Sequence, residues 1–305
     1  MKYFGAYLQE RFPLQANGVL IVSYFTANYL LARGALWAGE PLQMSWRFPA
    51  GCVVLLLMFF HLRVIDEHKD YEQDCIVHPD RILSRGLVSL EQLSRIGWTA
   101  VAIESVLSYL LGLPAFVLCL VLLGISWLIY KEFYMGETLS RHLLLNAFLH
   151  MLVMPVYSLF VFAVATGRFP SSAPEVVLLY AWVSYGVGIG YELARKTRAP
   201  QDERPGLITY SSVIGPYPAA AGALLALLFS GSISLVVGIL LGFGAWYHGT
   251  LALLLLIVAA GVLHFRLRTT TATAANLQIY AGIFIFAFDL LLAAELIRLH
   301  GLVWA

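Results

Sequence analysis

The chain has 305 residues, 60% of them hydrophobic and only 12% charged, with a formal net charge of +1. About 25% charged is ordinary for a soluble domain, so a water-soluble globule is excluded, and the mean hydropathy of +0.79 agrees. The near-neutral balance gives no footprint for nucleic acid, and Cys52, Cys75 and Cys119 supply neither a disulfide framework nor a zinc site.

What remains is an all-α membrane protein, read as a single domain over residues 1–305. Apolar runs long enough to cross a bilayer are predicted at 15–36, 47–66, 92–112, 114–131, 141–165, 175–195, 211–230, 244–265 and 275–297. The stretch 231–246, apolar and glycine-rich, reads as a re-entrant segment or as an extension of span seven or eight, which brackets the nine spans between eight and ten. The first run is read as a span and not a signal peptide, since only Lys2 and Arg11 precede it and no small-residue cleavage site follows.

Positive charge orients the bundle. With nine spans and a cytoplasmic N-terminus, Arg33, Arg47, Arg168 and Arg298 fall outside, and the other fifteen of the 19 Lys and Arg fall on the cytoplasmic side. The loops after spans two, four, six and eight then face the cytoplasm and the C-terminus faces out.

Span two ends in an acidic stripe. Asp66, Asp70 and Asp74 follow one another at i, i+4, i+8, and Glu67 joins them from one side. Stacked like charges repel by roughly 0.2–0.5 kcal/mol per exposed i,i+4 pair. A helix leaving lipid keeps such a cluster when a cation offsets it, and oxygen-only ligands suit Mg²⁺ reaching a phosphate. A merely solvated acidic helix end is the plainer alternative. Arg63 and Lys69 are interleaved with the stripe.

Span six ends in a basic cluster, Arg195, Lys196 and Arg198, preceded by Glu192 and stopped by Pro200. The positive-inside tendency alone accounts for three cations here; an anion site for diphosphate accounts for them as well, with arginine providing bidentate geometry. Lys131, after span four, is either a third part of that cradle or a snorkelling anchor. Within the spans, Glu104 and Asp289 are functional candidates by default, unless a neighbouring Ser, His or Arg satisfies them. Asn146 and His150, at i,i+4 on span five, read as helix–helix bonds.

These features resemble the UbiA superfamily of intramembrane prenyltransferases. Its first motif, NDxxDxxxD at the end of the second helix, is matched in register by Asp66-Glu67-His68-Lys69-Asp70-Tyr71-Glu72-Gln73-Asp74. Its downstream Pro-Arg-Pro-Leu-x-x-Gly-x-x-Ser-like stretch is similar to Pro79-Asp80-Arg81-Ile82-Leu83-Ser84-Arg85-Gly86-Leu87-Val88-Ser89. Where the family's second motif is usually Asp-rich, this chain has Glu192 followed by Arg195 and Lys196. The Arg-Pro pair common in members with aromatic acceptors is altered here to Arg11-Phe12-Pro13-Leu14.

The resemblance implies a nine-helix bundle whose central cavity opens near the cytoplasmic face, with Mg²⁺ as cofactor and a prenyl diphosphate as substrate. It implies metal ligation by Asp66, Glu67, Asp70, Asp74 and Glu192. Diphosphate would be held by Arg63, Lys69, Lys131, Arg195, Lys196 and Arg198. Asp66, Asp70, Tyr130 and Tyr191 would act in ionisation, with Asn28, Tyr134 and Tyr210 near the cavity. The acceptor would be lipophilic or aromatic and would meet the donor among membrane lipid. The alternative enzyme is a membrane terpene cyclase that needs no acceptor. A transporter fits less well, because the charges gather at one rim and not at the midplane.

Overall fold

The computed structural model describes residues 2–204 and 206–305. A short helix precedes the bundle: α1 (Phe4–Arg11) ends before Pro13, which cannot continue the helix, and the first long helix, α2 (Leu14–Leu36), begins after it. A short strand β1 (Leu42–Met44) leads into α3 (Arg47–Val77). Then come α4 (Leu90–Leu111), α5 (Leu113–Tyr130), α6 (Gly136–Arg141), α7 (Leu143–Met151), α8 (Val153–Thr166), α9 (Glu175–Arg195), α10 (Tyr210–Ile214), α11 (Pro216–Leu240), α12 (Ala245–Leu267) and α13 (Thr271–His300). The closing strand β2 (Leu302–Trp304) pairs parallel with β1, Leu42 opposite Leu302.

Eight helical stretches among the described residues are long and apolar enough to cross a membrane. The other predicted span, third in the chain, is α4; it has 22 residues but carries Glu91, Arg95 and the buried Glu104. The ambiguous stretch after residue 230 continues span seven, since α11 runs unbroken to Leu240 and turns at Leu241–Gly244. Span five is two helices, α7 and α8, meeting at Leu152. Pro155 in the first turn of α8 has no N–H to return to the carbonyl of Met151, so the ladder is interrupted there.

Local sequence explains several boundaries. Ser89 and Gln92 exchange bonds in a capping box at the start of α4. Between α4 and α5 the chain turns on Gly112 at φ 116°, a backbone region that costs glycine little. Within the bundle, α9 lies close on α11. A Cβ at Gly190 would meet Leu227 at 2.7 Å and the Ala223 carbonyl at 3.2 Å, so the small residue there, with Gly186 one turn earlier, permits the approach.

Three arginines gather at one end of the bundle. Arg33 and Arg168 both cover the Trp37 ring, at 4.1 and 5.5 Å, and Arg47 reaches the carbonyl of Val164 beside Gly167. The opposite end carries the acidic stripe of α3 and the basic end of α9.

Candidate functional site

The apolar run of α3 ends near Asp66, yet the helix continues to Val77 because other segments hold its polar extension. Arg11 at the end of α1 donates Nε to Glu67 Oε1 at 2.6 Å and Nη2 to Asp74 Oδ2 at 3.1 Å. Arg63 donates to the same Glu67 oxygen at 2.6 and 2.9 Å, and Arg81 in the following loop bonds Asp74. Gln73 donates to the carbonyl of Gly206, tying the extension to the loop after α9. Below, Phe60 receives Phe4 and Phe12 edge-on, which seats α1 against α3.

The stripe is thereby divided. Each step of four residues turns a helix by about 40° beyond a full revolution. By Asp74 the stripe has rotated toward Glu67, and those two carboxylates face the arginines. Asp66 and Asp70 have no hydrogen bond and no ion pair among the described residues. The charge of Asp70 is opposed by Asp66 and Asp74 and attracted by Lys69 and Lys196, and the charge of Asp66 bears on Arg195. The unpaired half of the stripe and the basic end of α9 therefore share one rim, although α3 and α9 do not pack as neighbours and each rests on α8.

At the α9 side, Glu192 is buried and holds both cations: Arg195 Nη2 at 2.6 Å and Lys196 Nζ at 2.8 Å. Lys196 lies 5.8 Å from the centroid of the buried Tyr210 ring. Tyr191 accepts a bond from Gln278 on α13 at 3.2 Å. Arg198 donates its backbone N–H to Ser211. Where α3 ends, burial and then the charge of Arg81 hold the His78 pKa below its ordinary value, and Arg11 and Arg198 act in the same sense.

Apart from Lys69, the remaining sequence candidates lie away from the acidic pair. Lys69 reaches Glu132 at 3.7 Å. Tyr130 and Lys131 line a cavity of about 500 Å³ between α3, α4 and α5. That cavity lies against His61, Val64, Ile65 and His68, the face of α3 opposite Asp66 and Asp70. Tyr134 is exposed and is the last of three consecutive left-handed residues, Glu132, Phe133 and Tyr134. Asn28 is buried and bonds the carbonyl of Tyr24 on its own helix. Below the rim, Tyr24, Ser158 and Ser184 join α2, α8 and α9 in a hydroxyl chain with bonds of 2.8 Å. Both intramembrane acids have partners: Glu104 pairs with His61 at 2.9 Å, and Asp289 accepts from Ser23 at 3.2 Å and Tyr180 at 3.4 Å.

Sequence reasoning missed Arg11 and Arg81 as members of the rim. Both stood in motif-like stretches, and the signal was the count of carboxylates needing counter-charges. The donor set nevertheless suits a magnesium ion. No group of three His, Cys, Asp or Glu among the described residues converges as a cage. Mg²⁺ ordinarily takes one or two carboxylates, keeps waters and completes its shell with phosphate oxygens. The unpaired Asp66 and Asp70 meet that requirement, whereas Glu67 through Oε1, Asp74 through Oδ2 and Glu192 through both oxygens are held by arginine or lysine.

The model of the UbiA prenyltransferase family matches residues 27–288. Among solved structures, a digeranylgeranylglyceryl phosphate synthase is similar at 16% identity and TM-score 0.62, covering 98% of this chain and 100% of its own. A UbiA homologue from Aeropyrum pernix K1 is similar at 15% identity and TM-score 0.63, covering 92% and 97%. A UbiA homologue from Archaeoglobus fulgidus, bound to DMAPP and Mg²⁺, is similar at 12% identity and TM-score 0.53, covering 94% and 99%. At these identities the likeness establishes a shared fold. No protein of curated function matches the chain by sequence.

Proposed function

Because the chain belongs to the UbiA prenyltransferase family, we propose that it ionises a prenyl diphosphate at the α3–α9 rim and transfers the prenyl group to a lipophilic acceptor within the membrane. One observation carries the reading: Asp66 and Asp70 make no ion pair or hydrogen bond among the described residues, whereas Glu67, Asp74 and Glu192 on the same rim are paired, and the charges of Asp70 and Asp66 are felt by Lys196 and Arg195. The ligands of the Archaeoglobus fulgidus homologue, DMAPP and Mg²⁺, support the choice of substrate class and ion. Asp66 and Asp70 would hold the magnesium. Charge neutralisation on the departing diphosphate is the chemistry that a bound ion supplies.

The chain's own groups do the rest. In ionisation the bond between the allylic carbon and the diphosphate oxygen breaks, and the electron pair leaves with diphosphate. Arg195 spends Nε and Nη2 on Glu192 and keeps further N–H donors for the anion. Lys196 adds a second positive charge, and Glu192 holds both side chains at the rim before substrate arrives, which favours electrostatic stabilisation without reorganisation. Tyr191, fixed through its hydroxyl by Gln278, offers a ring face to the carbocation. The fifteen Lys and Arg that the nine-span reading assigns to this end support placing the rim on the cytoplasmic side.

The test is product analysis by mass spectrometry after incubating purified protein with Mg²⁺ and ten-, fifteen- and twenty-carbon prenyl diphosphates, with and without a lipophilic acceptor. Diphosphate release that requires Mg²⁺, stops with EDTA and yields a prenylated acceptor is the expected result. A hydrocarbon or alcohol formed without acceptor would make the protein a cyclase instead. Release that survives chelation would retire the ion.

A further inference from the structure

On the face of α3 turned away from the acidic pair, α4 and α5 leave a cleft of about 500 Å³ against α3. That is within the range of roughly 300–1,000 Å³ that holds a small ligand. Its walls are largely apolar, with Val64 and Ile65 on α3, Val101 on α4 and Leu123 on α5. Two indoles flank its open side, Trp98 at 69% exposure and Trp127 at 52%. Tryptophans so placed belong to the level where hydrocarbon meets lipid headgroups.

The histidines and serines that line the cleft already bond one another or the chain, and its one charged side chain, Lys131, holds no acid. His61 bonds Ser126 at 2.8 Å and Glu104 at 2.9 Å. His68 bonds the Val64 carbonyl at 2.8 Å and Ser94 at 2.7 Å. Lys131, at the mouth, lies 5.0 Å from the ring centroids of both Trp127 and Tyr130 and has no carboxylate within 4.0 Å among the described residues. Its neighbour Glu132 is taken by Lys69. Arg11, Arg63, Arg81, Arg195 and Lys196, by contrast, each hold an acid.

A lone cation above an apolar slot matches an amphiphile with an anionic head and a hydrocarbon tail. A soluble anion would leave the slot empty, and a zwitterionic lipid would bring its own ammonium toward Lys131. We propose that this cleft binds one anionic phospholipid of the bilayer, with its phosphate at Lys131 and an acyl chain between Trp98 and Trp127.

Native mass spectrometry of the full chain, equilibrated in detergent with equal phosphatidylglycerol and phosphatidylcholine, tests this. One phosphatidylglycerol should be retained per protein, favoured about fivefold over phosphatidylcholine, the size expected for one lysine at a headgroup. Lys131→Gln should lose that preference, and Lys131→Arg should keep it, which separates lost charge from a damaged fold. Val101→Trp, which fills the slot without altering charge, should reduce retention of both lipids. Equal retention of the two lipids by the unaltered chain, or an unchanged preference in Lys131→Gln, would overturn the proposal.

Discussion

Replacing Asp70 by Asn will lower diphosphate release from a prenyl diphosphate by about 10²-fold or more, the usual loss when one preorganised electrostatic group is removed from a reaction centre. It will do so without destabilising the fold. Asp70 has no hydrogen bond or ion pair to lose among the described residues, and the charges of Asp66 and Asp74 oppose its own. Removing a carboxylate from such a stripe relieves repulsion of a few tenths of a kcal/mol per pair. The thermal midpoint of the apo protein should therefore stay level or rise slightly while turnover collapses. Asp66→Asn should behave alike. A variant that releases diphosphate at the original rate would remove the acidic pair from the mechanism.

Glu67 should show the reverse pattern. It is 1% exposed and receives both Arg11 and Arg63. Glu67→Gln leaves Arg63 at a partly buried site without its carboxylate and Arg11 with Asp74 alone, and breaking a buried pair in this way costs about 3–5 kcal/mol. Denaturant unfolding of the detergent-solubilised variant should show a loss of that order at any Mg²⁺ concentration. A loss under about 1 kcal/mol, the scale of an exposed pair, would mean that Glu67 does not anchor α1 to α3.

The contrast between these two residues shows what was legible in the sequence. The i,i+4 spacing marks one acidic stripe, and the structure keeps it on the continuous helix α3. The spacing does not reveal that the slow rotation of the stripe delivers Asp66 and Asp70 to one side and Asp74, with Glu67, to the other. That division depends on Arg11, which lies 63 positions before Asp74, and no local pattern announces a partner so distant. Loop charges sort the helix ends into two sets, because they report on a bundle-wide asymmetry. They gave no direction for Lys131, whose orientation follows from the packing of Trp127 and Tyr130 beneath it. Likewise Glu104 and Asp289 stood out as acids within lipid-spanning helices, but their partners, His61 and Ser23, sit on other helices and emerge only with the fold.

In the proposed reaction the unpaired acids at the end of α3 gather a divalent ion for a prenyl diphosphate. Anomalous diffraction from crystals grown with Mn²⁺ and a non-hydrolysable prenyl diphosphate analogue tests it most directly. A peak is expected against the carboxylates of Asp66 and Asp70, with the analogue's phosphates between it and Arg195 and Lys196. A peak confined to Glu67 and Asp74, or an analogue seated in the α3–α4–α5 cleft with Asp66 and Asp70 untouched, would contradict it.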